Sequence, residues 1–259
     1  MRLVVVGDIH TQEEKLWQSL AELGLANGAK EPLEPLFDGS TKLILLGDLF
    51  HAKSRERYNI ISGQDRYDEY NPEHVKQAES YQERFLAEVK AFYDKVPEGN
   101  MVIIMGNHDF NAISHDQGPL RTDDIAHLEW KKGYGGDLPE DIRTWVESWP
   151  YQYSYGDIHF AHVGPRSEHN HYDEAFYLEN RRRWIYEDKD FMAETPYKLG
   201  VYGHTPVRGG VNVASKGRAI LLDTNGHRDE YVYLIIEVNN HDYRLMMRGL
   251  FFDEMMPRI

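Results

Sequence analysis

Three uninterrupted apolar runs of strand length punctuate the first half of the chain: Leu3-Val4-Val5-Val6, Leu43-Ile44-Leu45-Leu46 and Met101-Val102-Ile103-Ile104-Met105. Runs of that kind belong to strands buried on both faces. Each stops at a glycine, Gly7, Gly47 or Gly106, and the next side chain is Asp8, Asp48 or Asn107. Strands are therefore predicted over residues 1–10, 42–46 and 101–105, each with a polar tip. Between the first two, Leu16, Trp17, Leu20 and Leu23 recur at helical spacing, and Thr11 with Glu14 fits a capping box. A helix between two strands makes a βαβ unit and hence a parallel sheet.

Pro32 and Pro35 mark residues 24–39 as a loop, and residues 50–71 lack a period, so they read as irregular or partly helical. A long helix is predicted from Pro72 to Lys95, with Val75, Ala78, Phe85, Val89 and Phe92 on one face and Pro97-Glu98-Gly99 as its stop. Residues 111–150 are less patterned, with a glycine-rich turn at 133–136 and a short helix over 139–149, and read as a lid or as packing. A hairpin is expected over 151–162, turning at Gly156-Asp157 and ending at His162. A helix over 174–190 carries Arg181-Arg182-Arg183, and a strand over 198–202 ends in Gly203-His204-Thr205-Pro206. Strands over 218–222, 231–238 and 243–251 close the chain. With no repeat or linker, one domain over 1–259 with insertions near 50–71 and 111–150 is the economical organisation.

Composition narrows the chemistry. No apolar run approaches the roughly 20 residues that span a bilayer, and Asp8 interrupts the N-terminal apolar stretch too early for a signal peptide, so a cytoplasmic protein is expected. A net charge of −14 argues against a broad basic surface for a phosphate backbone, so nucleic acid is a disfavoured partner. The absence of cysteine leaves imidazole, carboxylate and amide oxygen as ligands. The strand tips supply them: Asp8, His10, Asp48, Asn107, His108, His162 and His204. Ligands of open α/β sheets gather beyond the carboxyl ends of the strands. Gathered there, these residues offer two cation pockets about 3.5–4 Å apart around a shared carboxylate. Mixed nitrogen and oxygen donors suit manganese, with iron, zinc or cobalt as alternatives, over magnesium. Taken singly each residue reads as a turn or cap; the ordered set carries the argument. The tryptophans, Trp130, Trp145, Trp149 and Trp184, read as packing rather than base-stacking platforms. His115, His127, His169, His171, His227 and His241 are taken as surface or structural, with His169 and His171 near enough in sequence to line a cleft.

In order and spacing, Gly7-Asp8-Ile9-His10, Gly47-Asp48, Gly106-Asn107-His108-Asp109, His162 and Gly203-His204-Thr205-Pro206 resemble the calcineurin-like metallophosphoesterases, over roughly residues 1–238. The resemblance implies a four-layer α/β/β/α sandwich with mixed sheets flanked by helices. It implies Asp8 and His10 on a first ion, Asp48 bridging, and Asn107, His162 and His204 on a second. His108 would act as general acid or stabilise developing charge, and Asp109, grouped with it as catalytic, would orient the loop. The implied reaction is hydrolysis of a phosphomonoester, whether phosphoprotein, nucleotide or other small ester, by a hydroxide bridging the two ions. Leu222-Asp223-Thr224 and Asn180-Arg181-Arg182-Arg183 look most like the bacterial and phage phosphoprotein phosphatase branch, making Arg181, then Arg182, the phosphate clamp.

That branch has Asp and then Arg shortly after the bridging carboxylate, where this chain reads Asp48-Leu49-Phe50-His51-Ala52-Lys53. Lys53, Arg55 and Arg57 are the cationic substitutes, and Arg55 and His51 join the substrate-binding candidates. The segment Gly47-Asp48-Leu49-Phe50-His51 looks instead like nucleases of the same superfamily that act in DNA double-strand-break repair. Those usually carry a second histidine where Pro206 stands. A phosphodiesterase, a nuclease or a dinucleoside polyphosphate hydrolase on the same metals is thus the alternative.

Overall fold

The computed structural model describes residues 1–120, 125–164, 190, 192–193, 195–207, 212–223, 232–239, 242–249 and 253–255. Along the chain run β1 (Arg2–Val6), α1 (Glu13–Glu22), α2 (Glu34–Phe37), β2 (Thr41–Leu45), α3 (Arg55–Ser62), α4 (Pro72–Tyr93), β3 (Met101–Ile103), α5 (Asn107–Ser114) and α6 (Glu140–Glu147). The strands β4 (Gln152–Tyr155), β5 (Ile158–Ala161), β6 (Leu199–Tyr202), β7 (Asn212–Ala214), β8 (Ala219–Leu221), β9 (Val232–Asn239), β10 (Asp242–Gly249) and β11 (Asp253–Met255) follow. Two mixed sheets result, ordered β11-β10-β9-β1-β2-β3 and β4-β5-β6-β8-β7. In the first, β1, β2 and β3 are parallel; in the second, β5, β6 and β8 are.

Strand alternation sorts the core into layers. Val4, Val6, Leu43, Leu45, Met101 and Ile103 face α1, α4 and α6, packing on Trp17, Phe85, Phe92 and Trp145. Leu3, Val5, Ile44, Leu46 and Ile104 face the other way, onto Ile158, Phe160, Leu199, Val201 and Ile220 of the second sheet. Ala161, Tyr202, Ala219 and Leu221 line that sheet's outer face, against Met192. Full burial of each large apolar side chain is worth about 1.5–3 kcal/mol, so the intersheet layer fixes strand register strongly. The fold is mixed α/β, two mixed sheets flanked by helices. The helix expected over 174–190 lies outside the described residues except Asp190. No helix among the described residues is long and apolar enough to cross a membrane.

In the long helix Pro72 opens the first turn and Val75, Ala78, Phe85, Val89 and Phe92 are buried, as expected, and Asn71 adds a cap by accepting from the Glu73 amide. Helix α1 is a correction. It begins at Glu13 after Gln12, with no side-chain cap, and Thr11 stands at φ 61°. The amides of Ile9 and His10 donate to Asp48 O and that of Thr11 to Leu49 O, so docking between two strand tips overrides the capping box. Between 125 and 150, Trp130, Leu138, Ile142, Trp145 and Trp149 all join the helix-side core. Residues 50–71 contain α3, whose Tyr58 and Ile61 pack with Tyr67 and Ala78. The short strands β7 and β11 and the helices α2 and α5 were not anticipated from the periodicity.

Candidate metal centre

The carboxyl ends of β1, β2, β3, β5 and β6 converge, and glycines let them. A Cβ on Gly203 would stand 2.1 Å from Asp8 Oδ1, and one on Gly106 would stand 2.2 Å from Asp48 Oδ1. Only hydrogen at those Cα atoms permits such close approach. His10, Thr11, Asp48, His51 and His204 have φ of 45°, 61°, 51°, 58° and 62°. Left-handed backbone at non-glycine residues costs about 1–2 kcal/mol each, and strain of that kind concentrates at functional sites.

Asp8, His10, Asp48, Asn107 and His162 are almost completely buried, and His204 is half-buried. Asp48 Oδ2 lies 3.5 Å from His10 Nε2 and 3.2 Å from His162 Nε2, while Asp8 Oδ2 lies 3.8 Å from His10 Nε2. Asn107 Oδ1 lies 3.0 Å from His162 Nε2 and 2.9 Å from His204 Nδ1. The His204 amide donates to both oxygens of Asp8, at 3.1 Å each. Asp48 Oδ2 thus belongs to two groups at once, one with Asp8 and His10, the other with Asn107 and His162.

Tautomers follow from the partners. His10 Nδ1 faces the carbonyls of Phe50 and His51 at 3.2 and 3.0 Å, so it carries the hydrogen. The lone pair of His10 Nε2 is left in the cluster, buried and with no hydrogen-bond partner. His162 Nδ1 donates to Leu46 O at 2.8 Å in the same way, and Asn107 Nδ2 donates to Pro119 O, turning Oδ1 inward. At His10 an acceptor nitrogen therefore faces the acceptor oxygens of Asp8 and Asp48, an arrangement that a cation stabilises.

Charge tells the same story. Burial, then the charge of Asp223, pushes Asp8 well above the usual carboxylate range. Burial opposes charge on His162, but Asp48 and Asp8 outweigh it and hold its imidazole up to about 10. Asp48 goes the other way: burial works against its charge, yet His162 keeps it below the ordinary range. The proton on His162 is standing in for positive charge that buried carboxylates demand, and the donor set fits divalent cations.

Asp109 spans two strand tips. Its Oδ2 accepts from the amides of Asp48 and Gly106 at 2.7 and 2.9 Å, and its Oδ1 from those of Leu49 and Phe50 at 2.8 and 3.3 Å. One carboxylate pins the β2 tip to the β3 tip. His108 is 3% exposed; its amide donates to Asp48 Oδ1 at 2.9 Å and its Nε2 lies 4.0 Å from Asp48 Oδ2. Burial, then the Lys53 charge, holds it well below the usual histidine range, so the imidazole is neutral.

Of the cationic substitutes, Lys53 reaches His108 Nε2, at 2.8 Å. Arg55 forks onto Glu69 at 3.0 and 3.1 Å, and Arg57 is buried, donating to Thr11 O and to Tyr81 and pairing with Glu14. His51 is fully buried, its Nδ1 3.0 Å from His108 Nδ1. Of the two readings offered for His127, surface or structural, the surface one fails: it is 2% exposed, with its ring 4.5 Å from that of His51. Glu129, buried here on a loop, was missed because a single polar residue on a loop leaves no periodic trace, while Gln82 is a buried polar side chain on the core-facing side of α4. Arg181, Arg182, His169 and His171 lie outside the described residues.

The profile of the calcineurin-like phosphoesterases matches residues 1–249. Among solved structures, a cold-active protein tyrosine phosphatase aligns over 98% of this chain and 78% of its own, at 15% identity and TM-score 0.54. A Saccharomyces cerevisiae protein serine/threonine phosphatase with similarity to human phosphatase PP5 aligns over 98% and 81%, at 14% identity and TM-score 0.51. A metallophosphoesterase from Sphaerobacter thermophilus aligns over 97% and 89%, at 17% identity and TM-score 0.47. The first two likenesses speak to the fold alone. No curated protein matches the chain.

Proposed function

The chain belongs to the calcineurin-like phosphoesterases and is a phosphoric ester hydrolase; from that premise we propose that it hydrolyses phosphomonoesters at a pair of divalent cations sharing Asp48. Asp8 and His10 would hold one ion and Asn107, His162 and His204 the other, with manganese the favoured metal. Such a pair polarises the phosphoryl group and makes water nucleophilic at neutral pH. The observation that carries this reading is the membership of Asp48 Oδ2 in both ligand groups.

The remaining steps fall to the chain's own residues. His108, neutral and beside Asp48, would donate Nε2–H to the leaving oxygen and stabilise its developing charge once Lys53, which donates to that nitrogen in the free chain, turns to the substrate phosphate. Lys53, next to His108 Nε2, supplies the cation that a dianionic monoester needs and replaces the arginine absent after Asp48. Arg181, with Arg182 as fallback, adds a second phosphate contact. Asp109 holds the tips in register so that these groups meet the phosphate in fixed geometry. Specificity among phosphoproteins, nucleotides and small esters rests on the segments over 50–71 and 111–150. A cytoplasmic enzyme of one domain is the matching setting.

A phosphodiesterase or nuclease reading is favoured by one contact, the His51–His108 pair, on a segment resembling the repair nucleases. The net charge of −14 and Pro206 oppose it. Rates on p-nitrophenyl phosphate and bis(p-nitrophenyl) phosphate with Mn²⁺, measured side by side, separate the two. The monoester is expected to be cleaved faster; cleavage of the diester alone reverses the order.

A further inference from the structure

Behind His108 lies a second buried cluster that takes no part in sharing Asp48. His51, His127 and Glu129 are 0%, 2% and 0% exposed, and one ligand atom from each lies within 4.8 Å of the others. Each side chain has committed its other atom elsewhere. His51 Nδ1 faces His108 Nδ1 at 3.0 Å, His127 Nδ1 faces the Tyr58 hydroxyl at 2.7 Å, and Glu129 Oε1 accepts from Gln82 Nε2 at 3.2 Å. His51 Nε2, His127 Nε2 and Glu129 Oε2 are left buried with no hydrogen-bond partner. A buried polar atom without a partner costs about 1–3 kcal/mol, so three of them side by side call for a ligand.

We propose that His51, His127 and Glu129 hold a further divalent cation of the zinc class, separate from the pair over Asp48. Two imidazoles and a carboxylate are a common zinc donor set, leaving one position open. The partners of the committed atoms suit that use. Gln82 Oε1 accepts from the His51 amide at 2.8 Å while Gln82 Nε2 holds Glu129, so one side chain fixes two of the three ligands. With Nδ1–H donated to the Tyr58 oxygen, His127 presents its Nε2 lone pair. A cavity of about 350 Å³, lined by His127 with Glu69, Gln117 and Lys131, adjoins the cluster at His127.

A cation on His51 Nε2 confines the His51 hydrogen to Nδ1, which then donates to His108 Nδ1. The hydrogen of His108 is thereby fixed on Nε2, the atom 4.0 Å from Asp48 Oδ2, and Lys53 is released toward substrate phosphate. This consequence rests on the role proposed for His108; the cation site does not.

The test is metal counting on chelator-stripped protein reloaded with zinc alone and desalted. His127→Gln and Glu129→Gln are each expected to bind one equivalent fewer than wild type, whereas Asp48→Asn keeps that equivalent and loses those of the shared pair. Equal counts in wild type and both variants, each folded by circular dichroism, overturn the site. Should a variant not fold, anomalous diffraction from zinc-loaded wild type decides. A peak about 2.0–2.2 Å from His51 Nε2, His127 Nε2 and Glu129 Oε2 upholds the site, and peaks beside Asp48 alone refute it. A peak at the triad with none at Asp48 upholds this site and sinks the dinuclear reading, so the two failures are distinguishable.

Discussion

Two buried clusters flank His108, both built from histidine and carboxylate, and they are held in opposite ways. The Asp48 cluster sits on strand tips, and backbone secures it: Asp109 takes four amides, and the His204 and His108 amides hold Asp8 and Asp48. The His51–His127–Glu129 cluster sits on loops, and side chains secure it, through Gln82 and Tyr58. Strand-tip geometry is dictated by the sheets, whose register the intersheet core enforces. Loop geometry depends on a few polar contacts. The first cluster should therefore be the harder to move and the second the easier to tune.

The largest effect should come from the shared carboxylate. Asp48→Asn is expected to lower phosphate-ester turnover by about a thousandfold, since metal activation is worth several kcal/mol; turnover within tenfold of the parent would break the contrast at its root. His108→Ala, lying between the clusters, is expected to lower kcat by about a hundredfold while metal content stays unchanged. Loss of metal along with rate would instead make it a ligand. Gly106→Ala drives a Cβ onto Asp48 Oδ1 and should destabilise the fold by about 1–3 kcal/mol in urea unfolding. An unchanged midpoint would mean that the tips are not tightly packed.

A subtler effect concerns protons. Burial favours neutral His162, but Asp48 and Asp8 raise it to about 10 in the metal-free chain, so a cation must displace its proton. Mn²⁺ affinity should strengthen about tenfold per pH unit across the neutral range and weaken as pH falls. Affinity independent of pH in calorimetric titration would remove that proton from the account. Smallest of all, Arg55→Ala should leave turnover within about twofold, because Arg55 is exposed and spent on Glu69, a surface pair worth about 0–1 kcal/mol.

The same contrast explains what the sequence reveals. The strands β1, β2 and β3 and their tips are legible because burial on both faces demands unbroken apolar runs, and a glycine then marks where chain meets carboxylate. The long helix α4 is legible from its 3.6-residue spacing and its asparagine and proline opening. Thr11 misleads because docking onto the Asp48 loop, a contact between distant segments, overrides a local cap. His127 and Glu129 leave no trace, for His51 lies far away in sequence and only the fold of 111–150 brings the three together. Asp109 was visible as part of a motif, yet its clamp on the Asp48 loop depends on a tertiary contact that no spacing encodes.

The central claim is that two cations share Asp48. Electron paramagnetic resonance of the Mn²⁺-loaded protein tests it most directly. A spin-coupled pair is predicted in the wild type, collapsing to isolated-ion signals in Asp48→Asn; isolated-ion signals in the fully loaded wild type would contradict the account.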